Sequence, residues 1–109
     1  MLQGFNTEIE VEGRRFHVQT EDKGRQHPVI ETLVYCGGAI VASRKTPYAA
    51  ELEDVELLEL MRRQHRSLLQ ATRGGQYQQQ AQASEAERYR SVRGAELDRV
   101  VEEFLKRLA

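Results

Sequence analysis

The stretch VIETLVYCGGAIVASRKTP, residues 29–47, decides how the chain is read. A run rich in Val, Ile, Thr and Tyr ends at Cys36, two glycines follow, and a second run of β-branched and small residues leads from Ala39 to Lys45. Both central residues of a type I′ turn need positive φ, which glycine adopts without steric cost, so Gly37-Gly38 predicts a hairpin between two strands. Thr46-Pro47 ends the second strand, because proline has no N–H to give to the ladder.

Upstream, Phe5, Thr7, Ile9 and Val11 alternate with Asn6, Glu8 and Glu10, the period of a half-buried strand. Glu12-Gly13 turns the chain, and Arg14 to Thr20 alternates again, with Phe16 and Val18 on one face and Arg15, His17 and Gln19 on the other. These runs form a second hairpin, joined to the first through the polar loop DKGRQHP. Downstream, Leu52, Val55, Leu58, Met61, His65, Leu68, Leu69 and Thr72 recur at spacings of three and four, which predicts an amphipathic helix stopped at Arg73-Gly74-Gly75. GGQYQQQAQA, residues 74–83, reads as a flexible Gln-rich linker. Ser84 with Glu87 fits a capping box, and Leu97, Val100, Val101, Phe104, Leu105 and Leu108 form the stripe of a last helix, weakened near Gly94. The expected fold is α+β: a four-stranded antiparallel meander sheet packed by an amphipathic helix over 1–73, a linker over 74–83, and a C-terminal amphipathic helix over 84–109.

Composition narrows the function classes. A chain of 109 residues holds one domain and buries a modest share of its surface, so a deep catalytic cleft is not the default. Sixteen basic and seventeen acidic residues leave a net charge of -1, distributed evenly along the chain, which argues against nucleic acid or an anionic membrane as partner. Cys36 is the only cysteine, which excludes an intrachain disulfide and a multi-cysteine zinc site. The start MLQGFNTEIE has no basic region followed by an apolar core, and no apolar run approaches the ~20 residues that span a bilayer. The expectation is a soluble cytoplasmic protein that is not an enzyme and carries no cofactor or metal.

The densest chemistry lies in FHVQTEDKG, residues 16–24. Strand geometry puts His17, Gln19 and Glu21 on one side at intervals of about 7 Å, too far apart to act together without further donors from Asp22 or His27. An exposed strand face followed by an Asx turn at Asp22 is the favoured reading, and a docking face for a protein is the functional one. Cys36 has no paired His and Asp or Asn to make it a nucleophile. The glycine pair lacks the spacing of a phosphate-binding loop, and Arg44, Lys45 and Thr46 form only a short basic cluster. Tyr35 and Tyr48 lack the basic groove that base stacking requires. His65 interrupts the helix stripe and reads as a half-buried boundary residue, while RYRSVRG spaces its arginines around a helix rather than along one track. The terminal stripe either folds back on the sheet or offers Leu97, Val101, Phe104, Leu105 and Leu108 to another chain; a homodimer through these helices remains open.

The words FHVQTEDKG, PVIETLVYCGGAIVASRKTPY and MRRQHRSLLQA resemble a small bacterial family found in myxobacteria and their relatives, over about residues 5–72. The resemblance implies a regulator of cell polarity and gliding motility. Such a regulator acts at the cell pole with a response-regulator-like scaffold, as a guanine-nucleotide exchange factor for a Ras-like small GTPase. It transfers no catalytic residue. Under that expectation the GTPase contact falls on His17, Gln19, Glu21 and Asp22 with Arg44 and Lys45, and the scaffold contact on the terminal stripe.

Overall fold

A computed structural model describes residues 2–87 of the chain. The alternating segments form strands β1 (Phe5–Val11), β2 (Arg14–Asp22), β3 (Val29–Cys36) and β4 (Ala39–Pro47), followed by helix α1 (Asp54–Arg73). Residues 78–87 form a second helical segment, α2. Glu12 and Gly13 take φ of 50° and 81°, and Gly37 and Gly38 take 59° and 83°, so both two-residue loops meet the positive-φ demand of a type I′ hairpin. The four strands lie in the order β1-β2-β3-β4, all neighbours antiparallel, which is the expected meander. A register shift at Val34/Tyr35 puts Tyr35 opposite Ile40 and Val34 opposite Ala42.

One face of the sheet carries the core. Phe16 and Val18 of β2 and Ile30, Val34 and Cys36 of β3 are buried there, under Leu57, Met61 and Leu68 of α1. These residues form two apolar clusters. Ile30, Tyr48, Leu57 and Met61 make one, and Phe16, Val18, Val34, Cys36, Leu68, Tyr77 and Ala81 make the other.

Between the clusters runs a buried polar belt. Thr20 Oγ1 lies 2.8 Å from His65 Nδ1 and 2.7 Å from Thr32 Oγ1, and Thr7 Oγ1 lies 2.9 Å from His65 Nε2. Gln64 Nε2 donates to Thr32 Oγ1 at 3.0 Å and to the Arg44 carbonyl at 3.1 Å, while its Oε1 accepts from Thr46. Adjacent residues of α1 therefore reach every strand of the sheet. His65 is 8% exposed, so it is a core histidine and not the half-buried boundary residue the stripe suggested. Burial, with the positive charge of His17 a smaller cause, pushes its pKa below the ordinary 6.5.

Two further expectations differ from the structure. Val55, placed on the buried stripe by its spacing, is 78% exposed; the stripe in contact with the sheet is Leu57, Met61, Gln64, His65, Leu68 and Thr72. Thr72 lay on the expected stripe, but polar Gln64 is hidden from a reading by hydropathy alone. The linker read over 74–83 instead becomes helical at 78, because Tyr77 and Ala81, one turn apart, pack on Phe16, Val18 and Leu68 while the glutamines between them point elsewhere. Gln78 Nε2 also donates to the Val11 carbonyl at 2.8 Å, and Arg14 reaches both Gln78 and Glu85. Ser84 lies inside this helix and does not cap its start. The terminal stripe, Leu97 to Leu108, lies outside the described residues.

Candidate docking face

Strand pleating sends the side chains between the core positions to the opposite face of the sheet. On β2 these are Arg15, His17, Gln19 and Glu21, and on β3 they are Glu31, Leu33 and Tyr35. The register adds Asn6, Glu8 and Glu10 from β1, opposite Gln19, His17 and Arg15, and Ile40, Ser43 and Lys45 from β4, opposite Tyr35, Leu33 and Glu31. Both helices pack on the other face. Among the described residues nothing covers this one.

An apolar strip crosses this face from Leu33 and Tyr35 on β3 to Ile40 on the edge strand β4, with charged residues beside it. Leu33 and Tyr35 are half-buried by their neighbours, and Ile40, opposite Tyr35, is 56% exposed. His17 packs edge-on against Tyr35 with ring centroids 6.3 Å apart, and its Nε2 lies 3.0 Å from Asn6 Oδ1. At the other end, Glu21 and Glu31 face each other across β2 and β3, and Lys23 bridges them at 3.2 and 3.0 Å. Lys45 Nζ adds a second cation 3.6 Å from Glu31. The hydrogen bond from Lys23 holds the Glu31 carboxyl below the usual range, and the Glu31 and Glu21 bonds raise Lys23. Gln19 donates to Glu21. The surface is thus a small apolar strip at one end and a set of pre-paired charges at the other, the mixed character of a protein interface.

The structure sorts the residues expected to meet partners. His17, Gln19, Glu21 and Lys45 share the open face. Arg44 does not: it sits opposite Thr32 on the helix side, where its Nη1 donates to Ser67 at 3.2 Å. Side chains of consecutive strand residues point to opposite faces, so Arg44 and Lys45 cannot form one cluster.

Asp22 is also removed from any docking surface, being 3% exposed. Its carboxylate accepts from the Tyr48 hydroxyl, the Gly24 N–H at 2.9 Å and the Leu2 N–H at 3.2 Å, so the Asx turn read from the sequence is present and serves the fold. Burial acts to raise the Asp22 pKa, but Tyr48 and the two backbone donors outweigh it and hold the carboxyl below 3.8. Burial and the Asp22 carboxylate together push Tyr48 up to about 12. His27 lies exposed in the β2–β3 connection. Among the described residues no three His, Cys, Asp or Glu side chains are grouped to hold a metal, and no helix is long and apolar enough to cross a membrane.

Glu31, Leu33, Tyr35 and Ile40 belong to the face but were not singled out as site residues in the sequence. The available signal was the alternation in VIETLVYC, which is faint because the odd-numbered positions include Val29, Leu33 and Tyr35 and so look apolar as well. Compared with known proteins, the chain matches no family model, no curated protein and no solved structure.

Proposed function

We propose that the chain is a non-catalytic interaction module that regulates a Ras-like small GTPase. It resembles RomX, which works with the response-regulator-like protein RomR at the cell pole to promote nucleotide exchange on MglA. The observation that supports this reading is the uncovered sheet face, where Leu33, Tyr35 and Ile40 make an apolar strip running to the β4 edge and His17, Gln19, Glu21, Glu31 and Lys45 lie beside it. Exchange needs no covalent chemistry. A factor that binds the open, nucleotide-poor GTPase more tightly than the closed form shifts the population towards release, by as much as its affinities for the two forms differ. A rigid face of mixed character suffices for that task. The GTPase is assigned to this face through His17, Gln19, Glu21 and Lys45, and the scaffold to the terminal stripe of Leu97, Val101, Phe104, Leu105 and Leu108.

The test is release of a fluorescent guanine nucleotide from the cognate GTPase, measured with this protein, with the scaffold, and with both. Faster release with both, lost on Lys45→Glu, is the expected result. No acceleration and no binding to the GTPase would remove the exchange-factor reading and leave an adaptor for another partner.

A further inference from the structure

The two edges of the sheet are built differently. β4 is blunted: it carries the register shift near Ile40, ends at Pro47, and exposes Arg44 and Lys45, all devices that stop a further strand from pairing. β1 has neither bulge nor proline, and its exposed charges are glutamates rather than lysine or arginine. Its seven residues pair with β2 without interruption, contain no proline, and among the described residues meet no other strand.

The hairpin geometry shows which β1 groups face outward. In the Glu12-Gly13 loop the hydrogen-bonded turn joins Val11 and Arg14, so the bonded positions of β1 are Val11, Ile9, Thr7 and Phe5. By alternation the N–H and C=O of Asn6, Glu8 and Glu10 point away from β2. The side chains of these same three residues stand on the open face, with Glu8 62% exposed and Glu10 exposed. Phe5, Ile9 and Val11, on the other side, are only partly buried and leave an apolar flank along the edge.

We infer that the β1 edge accepts an extended peptide segment as a fifth strand, one whose alternate residues are basic. A strand bonded to the backbone of Glu8 and Glu10 places its own side chains directly opposite theirs, where lysine or arginine is favoured and a like charge is unfavourable. The intervening residues meet the apolar flank. The same charges disfavour a second copy, because the antiparallel self-pairings centred on Glu8 or Ile9 set glutamate against glutamate. The inference does not rest on the GTPase reading, although Glu8 and Glu10 border the face that reading uses.

The test uses the full chain and a fluorescent heptapeptide alternating lysine with valine, followed by anisotropy. Binding is expected, weakened about tenfold when alternate peptide nitrogens are methylated and by a similar factor when glutamate replaces the lysines. Glu8→Lys with Glu10→Lys, checked for fold by circular dichroism, should reverse the preference towards the glutamate peptide. Amide exchange at Asn6, Glu8 and Glu10 should slow in the complex. Insensitivity to methylation, equal binding of both peptides, or an unchanged preference in the double variant would overturn the inference. So would sedimentation showing that the chain dimerises through β1 and excludes the peptide.

Discussion

Thr20→Val tests whether the belt between the two apolar clusters holds the helix on the sheet. Thr20 is fully buried, and its hydroxyl contacts His65 Nδ1 and Thr32 Oγ1. One assignment of protons uses each once: Gln64 donates to Thr32, Thr32 to Thr20, Thr20 to His65 Nδ1, and His65 Nε2–H to Thr7. Valine has almost the shape of threonine, so no cavity opens, but the Thr32 proton and the His65 ring nitrogen each lose a partner. Each such loss costs about 1–3 kcal/mol, and the added methyl returns up to about 0.8 kcal/mol. The net expectation is a loss of about 1–5 kcal/mol, large against a typical total of about 5–15 kcal/mol.

Urea unfolding followed by circular dichroism measures it, as a lower midpoint at unchanged slope. Thr7→Val supplies the contrast. Thr7 is only partly buried, so water can replace its hydroxyl and the loss should stay near or below about 1 kcal/mol. A Thr20→Val loss under about 0.5 kcal/mol, the range of ordinary surface changes, would refute the claim that the belt is dry and fully paired.

Three further outcomes follow from the same geometry. His65 should titrate below 6.5 by NMR; because its folded pKa is depressed, the stability it contributes is present above 6.5 and is lost as pH falls from there through the lowered value. Tyr48→Phe should cost about 1.5–3 kcal/mol, since it removes a donor from the buried Asp22 carboxylate. Asp22 stability is present above 3.8 and lost as pH falls through its lower folded pKa, so this variant should also begin acid unfolding at a higher pH than the parent, while the parent's Tyr48 contribution is lost as pH rises from 10.0 towards about 12. His17→Ala should leave stability within about 0.5 kcal/mol, while Lys45→Glu, which sets a carboxylate opposite Glu31, should cost up to about 1 kcal/mol; under the proposed function both weaken binding of a GTPase measured by titration calorimetry, whereas Arg44→Ala, on the other face, leaves that binding unchanged.

The strands and hairpins were legible because they rest on local chemistry: glycine where φ is positive, and alternation where one side meets a core. The sheet order followed from short loops. What escaped was set by tertiary contacts. His65 looks like a flaw in an apolar stripe until Thr7 and Thr20 are seen on its two nitrogens, and those threonines come from strands 58 and 45 residues away. Gln64 likewise counts as polar in any periodicity, though it is 7% exposed. The helical stretch 78–83, read as linker, escaped because a segment of glutamines has no visible stripe, and its anchors are a tyrosine and an alanine. Arg44 and Lys45 were grouped by sequence adjacency, which a strand turns into opposition.

The belt also bears on how firmly the open face is held. An apolar helix seam tolerates sliding by a turn, because one leucine replaces another at modest cost. Moving α1 by one turn here would take Gln64 and His65 away from Thr20, Thr32 and Thr46 and bury each of those groups without a partner, so a single register is strongly preferred. The segments FHVQTEDKG, PVIETLVYCGGAIVASRKTPY and MRRQHRSLLQA divide along the same line. Thr20, Asp22, Thr46, Tyr48, Gln64 and His65 are committed to holding the helix and the loops, while His17, Gln19, Glu21 and Lys45 hold nothing beneath the sheet. A fixed helix keeps the strands at a fixed twist, and Lys23 and Lys45 already neutralise the facing carboxylates of Glu21 and Glu31. A partner meeting that face has little to reorder on the protein's side, so its contact energy appears as affinity for whichever partner conformation fits. That is the condition an exchange factor needs, because preference between two conformations of a GTPase is lost on a surface that adapts to both.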